Sequence, residues 1–234
     1  MSATHEYINS LILNHFKNKK ISIVDYGCGS GELLRYLNNR KIISYTGYDV
    51  NTDSLLIARN LFKNNEYQFK KIVNKKVPNF GKPQTLDLVV LVGVLQYMSE
   101  DEINELLKQI KKVLSKNGTA IFSCSIDHLF YKVFNLYRFL IPNHYINKEL
   151  LINRIQKCGF TVELEQEKGL LIAPLFSNIL SLFFDSLDKL LFRTRGSIGP
   201  IGSVSRKLID PILKIEYKLP INYGYTLFLK IKKN

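Results

Sequence analysis

The chain has 234 residues and a hydrophobic fraction of 46%, enough to bury a real core and close to the size of one large domain. A formal net charge of +13 draws polyanions, anionic membranes or negatively charged substrates and selects none of them; a Lys-, Asn- and Ile-rich composition is the plainer source of the same surplus. Cys28, Cys124 and Cys158 are odd in number and widely spaced, which argues against a zinc site and a disulfide framework and leaves reduced thiols in the cytoplasm as the expectation.

Residues 1–20 read as an N-terminal helix whose basic residues follow its apolar ones, with no small-residue cleavage site, so no signal peptide is expected. Ile21–Tyr26 then reads as a buried strand, Gly31–Asn39 as a helix, Ile42–Asp49 as a strand and Asp53–Phe62 as a helix. Tyr67–Val73 is a third, less apolar strand, and Leu86–Val92 ("LDLVVLV") is the clearest buried strand of all. Asp101–Leu114 places Ile103, Leu106, Leu107, Ile110, Val113 and Leu114 on one helical face. Ser99 is its N-cap, and Glu102, three residues on, completes a capping box. Asn117–Gly118 is read as a turn into the strand Thr119–Ser125. Strands that alternate with helices and are apolar on both faces imply a doubly wound α/β fold with a mostly parallel sheet. Such sheets bind ligands at the carboxyl ends of their strands.

After Ser125 the rhythm changes. Asp127–Ile141 is rich in aromatic residues and stops at Pro142; a helix over Lys148–Lys157, a turn at Gly159 and a strand from Phe160 follow. Leu170–Phe192 comes closest to a membrane span, but Asp185, Asp188 and Lys189 interrupt it. Within it Leu175, Ile179, Leu182, Phe183, Leu187, Leu190 and Leu191 share a broad helical face, beside a basic cluster of Lys189, Arg193 and Arg195, with Lys207 further on. That segment suits a cover over the cleft, a dimer contact or a dock on an anionic membrane. The glycine-rich residues 193–206 read as a loop, and the chain ends in a strand with a basic tail. No repeat or linker divides the sequence, so one domain over 1–234 is expected, as a monomer or homodimer, cytoplasmic or peripheral on the inner face of a membrane.

Gly27, Gly29 and Gly31 mark a sharp turn at which backbone approaches a ligand closely, and the helix that follows directs free N–H groups into the same space. Glu32 stands where the dinucleotide fingerprint has its third glycine, so the pattern is Asp-x-Gly-x-Gly-x-Gly instead. Asp49 ends the next strand at the distance suited to a ribose diol. It could also cap the next helix, a task open equally to Asn51 and Asp53.

"VDYGCGSG", "YTGYDVNTDSLLIAR", "LDLVVLVGVLQYMSEDE" and "LLKQIKKVLSKNGTAIFS", in this order, resemble the motifs of class I S-adenosylmethionine-dependent methyltransferases, and "HYINKELLINRIQKCGFTVE" resembles their late helix-and-strand segment. The resemblance runs over residues 21–165 and implies a seven-stranded Rossmann-like sheet, with the cofactor core at 21–126, an acceptor-side loop or helix at 127–146 and a variable apolar helical insertion at 170–215 before the last strand. It implies S-adenosylmethionine as cofactor and S-adenosylhomocysteine as product. Carried onto this chain, Asp25, Gly27, Cys28, Gly29 and Gly31 hold the methionine end, with Asp25 ordering the loop and the ammonium. Asp49 takes the ribose, Val50 packs on adenine, Gly93 and Val94 line the methionine side, and Gln96 and Tyr97 stand where relatives often carry His or Glu, at the lip between cofactor and acceptor. Two departures stand out: no acid follows the third strand, where Asn74 is a weak substitute, and "KNG" replaces the usual "PGG".

No "NPPY"-type signature of nitrogen methylation ends the fourth strand, which favours an oxygen or a carbon acceptor, with an oxygen of a small, glycan-like or lipid-linked molecule as the leading expectation. Candidate bases are His144, Tyr145 and His128, since an imidazole titrates near neutrality. No metal ligands are assigned. The positive charge motivates an RNA methyltransferase as the alternative, although no RNA-binding module or aromatic–basic stacking motif is present. The missing adenine acid motivates a third reading, a cofactor-binding homologue without activity.

Overall fold

A computed structural model describes residues 3–17, 19–37, 42–74, 76–127, 146–169, 181–192 and 200–234. In chain order the elements are α1 (Ala3–Phe16), β1 (Ile21–Tyr26), α2 (Glu32–Tyr36), β2 (Ile42–Asp49), α3 (Thr52–Leu61), β3 (Tyr67–Lys71) and β4 (Leu86–Val92). A 3-10 turn at Leu95–Tyr97 leads to α4 (Glu100–Val113) and β5 (Leu114–Ser125). The chain continues through α5 (Lys148–Lys157), β6 (Phe160–Lys168), α6 (Ser181–Phe192), α7 (Pro200–Lys218) and β7 (Thr226–Lys233). The seven strands form one sheet in the order β3-β2-β1-β4-β5-β7-β6. β1 to β5 are mutually parallel, and β7 runs antiparallel to both β5 and β6.

The sheet is buried on both sides because its central strands carry apolar side chains on both faces. Val89 and Leu91 of β4 enter one core with Ile103, Leu106 and Ile110 of α4, while Leu88 and Val90 enter the other with Ile8, Ile12 and Leu55. This period of two on a continuous apolar run is what a doubly covered parallel strand requires. The Ser99 hydroxyl accepts from Glu102 N–H (3.2 Å) and the Glu102 carboxylate accepts from Ser99 N–H (2.7 Å), so the expected capping box starts α4.

Three expectations change. Asn117–Gly118 does not precede β5 but lies inside it, because Leu114 already pairs with Leu86 before Thr119 pairs with Leu88. The extra residues bulge out, and Gly118 is required there, since a Cβ would stand 2.8 Å from the Leu86 carbonyl oxygen. The third strand stops at Lys71 rather than Val73. The glycine-rich loop is helix from Pro200 onward, because proline suits a first helical turn and the apolar spacing after it is helical. Residues 175–180 of the apolar segment lie outside the described residues; 181–192 are helical. No described helix is long and apolar enough to cross a membrane.

Candidate functional site

At the carboxyl end of β1 the chain turns through Gly27, Gly29 and Gly31, whose φ angles are +83°, +52° and +81°, a region glycine enters freely. Each has its own surroundings. A Cβ on Gly27 would collide with Val94, and one on Gly31 would stand 2.6 Å from the Phe62 ring. Among the described residues nothing lies within 4 Å of where a Cβ on Gly29 would stand, so the open side of the cradle is there.

The loop is tied to β2. Gly27 N–H and Cys28 N–H both donate to the Tyr48 carbonyl (2.7 and 3.0 Å), and Gly29 N–H donates to Asp49 Oδ2 (2.8 Å). Asp49 Oδ1 accepts from Asn51 N–H (2.8 Å). The cap of α3 is Asn51, whose side chain accepts from Asp53 and Ser54 N–H, so Asp49 is spared that task. Its Oδ2 is held by the glycine loop and its Oδ1 by Asn51, and each oxygen retains a second lone pair for a hydroxyl donor. Val50, next in sequence, is 59% exposed, an apolar side chain beside a carboxylate at the sheet edge.

Asp25 differs from the expectation. It is buried and receives the Tyr45 hydroxyl on Oδ2 at 2.6 Å, while Oδ1 has no partner among the described residues. The loop's bond to a carboxylate comes from Asp49, not Asp25. Burial pushes the Asp25 carboxyl up from 3.8 to about 7; the Tyr45 bond opposes this and the Asp49 charge adds to it. An unpaired acid oxygen beneath a glycine cradle is a feature that a cationic ligand group would complete.

The Cys28 side chain is core. Its Sγ packs where Gly47 lacks a side chain, and burial raises the thiol far above its ordinary range, so only its backbone borders the cradle. Gly93 (φ +64°) follows β4 and donates its N–H to the Ser123 carbonyl at 2.8 Å. Gln96 folds back towards it, with Nε2 3.6 Å from the Cβ position of Gly93 and Oε1 buried without a partner among the described residues. Val94 over Gly27 therefore closes one wall and Gln96 another. Asn74 has φ +53° and is exposed just beyond β3, whose continuation Ile72 donates its N–H to the Asp49 carbonyl at 2.8 Å.

His128, His144 and Tyr145 lie outside the described residues. Their flanks are anchored: Ile126 bridges Ile146 in parallel, and Asp127 N–H donates to the Ile146 carbonyl at 3.3 Å, at the carboxyl end of β5. Sequence reasoning missed Tyr45, Gly47 and Phe62, the residues that hold Asp25, admit Cys28 and require Gly31. A 540 Å³ depression lined by Arg59, Phe62, Lys63, Tyr67 and Lys70 lies at the β3 edge, and its Phe62 also stands against Gly31.

Residues 24–120 match the family model of a methyltransferase domain, which spans the second half of β1 through the first half of β5. No curated protein matches the chain in sequence. Among solved structures, an S-adenosylmethionine-dependent methyltransferase from Mesorhizobium loti is similar over 98% of this chain and 98% of its own, with a TM-score of 0.64 and 15% identity. A TehB-like methyltransferase from Corynebacterium glutamicum covers 100% and 89%, with a TM-score of 0.58 and 16% identity. Magnesium protoporphyrin IX methyltransferase from Synechocystis PCC 6803, solved with bound SAH, covers 99% and 82%, with a TM-score of 0.61 and 12% identity.

Proposed function

We propose that this chain, an S-adenosylmethionine-dependent methyltransferase by the domain at residues 24–120, methylates a hydroxyl oxygen of a small, glycan-like or lipid-linked acceptor. When bound, the cofactor supplies a methyl group already activated on a sulfonium. The protein then has to align the acceptor, exclude water and take up a proton. We assign Asp49 and Val50 to the adenosine end, with Asn74 at its margin, and Asp25 and the Gly27–Gly31 loop to the amino-acid end. The open space at Gly29, the carboxylate of Asp49 beside it and the unpaired oxygen of Asp25 support that assignment.

The observation that carries the oxygen reading is the turn after β4. There Gly93, Val94 and Gln96 present a bare backbone, an aliphatic side chain and a neutral amide. A carboxamide can orient a hydroxyl by hydrogen bonding but cannot take its proton. The base therefore falls to the 128–145 segment, for which His144, Tyr145 and His128 are the candidates. Incubation of the protein with methyl-labelled cofactor and separated glycan, lipid, RNA and small-metabolite fractions tests the reading. Label should enter glycans, lipids or hydroxylated metabolites as a base-stable methyl ether. Label in RNA alone would overturn it.

A further inference from the structure

Helix α7 is divided lengthwise. Val204, Leu208, Ile212 and Ile215 are exposed at spacings of four, four and three residues, and Leu219 continues the stripe just beyond the helix. Leu208 and Ile215 are 71% and 65% exposed, so most of each aliphatic side chain faces solvent. The opposite side is built for the interior. Tyr217 and Glu216 are buried, Leu213 packs on the core, and Asp210 accepts from Ala3 N–H and pairs with Lys214, which also pairs with Glu6 at 2.6 Å.

Both acids of α7 are thus turned towards the protein. Among the described residues of the helix, the exposed charges are Lys207 and Lys218, on one margin of the stripe. Helix α6 packs against α7 and adds Phe183, Leu190 and Leu191, all exposed. An exposed apolar stripe of this kind marks an interaction site on a protein.

We propose that this surface docks on the anionic face of a lipid bilayer. Aliphatic side chains with lysines at the margin, and no exposed acid among the described side chains of α7, suit the headgroup–acyl boundary of an anionic leaflet. A second copy of the chain is a poorer occupant. Two such faces would oppose Lys207 and Lys218 to each other, each copy carries a net charge of +13, and lysine is depleted from protein–protein interfaces. The position is also suited. α7 leads into β7, whose Thr226 pairs with Ser125, so the connecting residues stand at the carboxyl edge of the sheet, on which the glycine cradle opens. Lys168 Nζ holds them there through the Leu219 and Ile221 carbonyls (2.8 and 3.2 Å). The inference does not rest on the acceptor assignment; a docked bilayer simply lies beside the cofactor edge.

The test is co-sedimentation of the whole chain with vesicles of phosphatidylglycerol and phosphatidylcholine mixed one to two, against phosphatidylcholine alone. Partitioning to the anionic vesicles should be at least about tenfold stronger and should fall as salt is raised. Leu208→Asp with Ile215→Asp should reduce it about a hundredfold, and Lys207→Glu with Lys218→Glu about tenfold or more. All four side chains are exposed, so unchanged thermal melting and cofactor titration would verify the variants' fold. The chain has no tryptophan, so Ile215→Trp is a clean reporter whose emission should shift to the blue on anionic vesicles. Pelleting at background in low salt, or partitioning unaffected by the aspartates, would overturn the proposal. A dimer in sedimentation equilibrium that the aspartates dissolve would also overturn it, in favour of a second copy.

Discussion

Asp25→Asn should make the ligand-free protein more stable above neutral pH while making it a poorer cofactor binder. Asp25 is fully enclosed, with one oxygen on the Tyr45 hydroxyl and the other unpartnered among the described residues, and burial raises its carboxyl from 3.8 to about 7. The sign follows from proton counting. Between pH 3.8 and about 7 the unfolded chain has released this proton while the folded one keeps it, so this group's contribution to stability declines across that window and is flat above it. A shift of roughly three units corresponds to about 4 kcal/mol. Asparagine can still accept the Tyr45 hydrogen bond, but its amide N–H₂ inherits the unpartnered position at a cost of about 1–3 kcal/mol.

The net expectation is about 1–3 kcal/mol of stabilisation at pH 8, which for a chain of this length is a rise of about 2–10 °C in melting temperature. The gain should vanish by about pH 5, where the wild-type carboxyl is already neutral. Thermal melts of both proteins at pH 5, 6, 7 and 8, without ligand, measure this directly. Calorimetry at pH 8 should show cofactor affinity reduced about tenfold to a hundredfold, the loss of one charged hydrogen-bond partner. A stability difference that is constant from pH 5 to pH 8 would refute the reasoning about burial. Unchanged affinity would refute the role of the free oxygen.

Asp49→Ala removes both the acceptor of Gly29 N–H and the carboxylate assigned to the ribose; cofactor affinity by calorimetry should fall at least about thirtyfold, and an unchanged value would show that the assignment is wrong. Gly27→Ala combines a left-handed φ of +83° with a collision against Val94, and should cost about 2–4 kcal/mol in chemical denaturation. Adding Val94→Ala should recover part of that loss but not the backbone component; full recovery would mean that φ carries no cost. Ser99→Ala removes the α4 cap and should cost about 1 kcal/mol with no effect on cofactor affinity, measured by the same two methods.

The elements legible in the sequence are those whose signals are local. β4 is an uninterrupted apolar run, and α4 carries its capping box and apolar face in consecutive residues, so their boundaries were readable to within a residue. Asp49 was findable by spacing because a strand of fixed rise carries it back beside the glycine loop. Its bond to Gly29 was not, since that depends on how the two loops meet. Tyr45 was invisible for a similar reason. Register pairs Asp25 with Gly47, which makes Tyr45 its diagonal neighbour across β1 and β2, and no local pattern encodes that register. Gly118 looked like a turn because a glycine bulge and a glycine turn share composition; only the Leu86 carbonyl distinguishes them. Pro200 did carry a readable signal. Proline opening an apolar four-residue stripe marks a helix start, but the three glycines at 196, 199 and 202 obscured it.

Charge links the cradle to the rest of the molecule. A protein with a net charge of +13 repels a cationic donor at long range, yet the groups assigned to that donor are two carboxylates close enough for the Asp49 charge to raise the Asp25 carboxyl. The donor carries a sulfonium and an ammonium against one carboxylate, whereas the product has lost the sulfonium charge. Paired acids in a partly desolvated site therefore attract the donor more strongly than the product, which favours exchange after each turnover. The same pairing penalises charge on Asp25: burial pushes its carboxyl up to about 7, and its Oδ1 has no partner among the described residues. Screening acts unequally on these effects, weakening the long-range repulsion by surface lysines more than the short-range attraction within the cradle. The lysines are thus a poor explanation of donor binding. Their placement on the margin of the α7 stripe, away from the carboxylates, fits an anionic surface outside the site better than an anionic ligand within it.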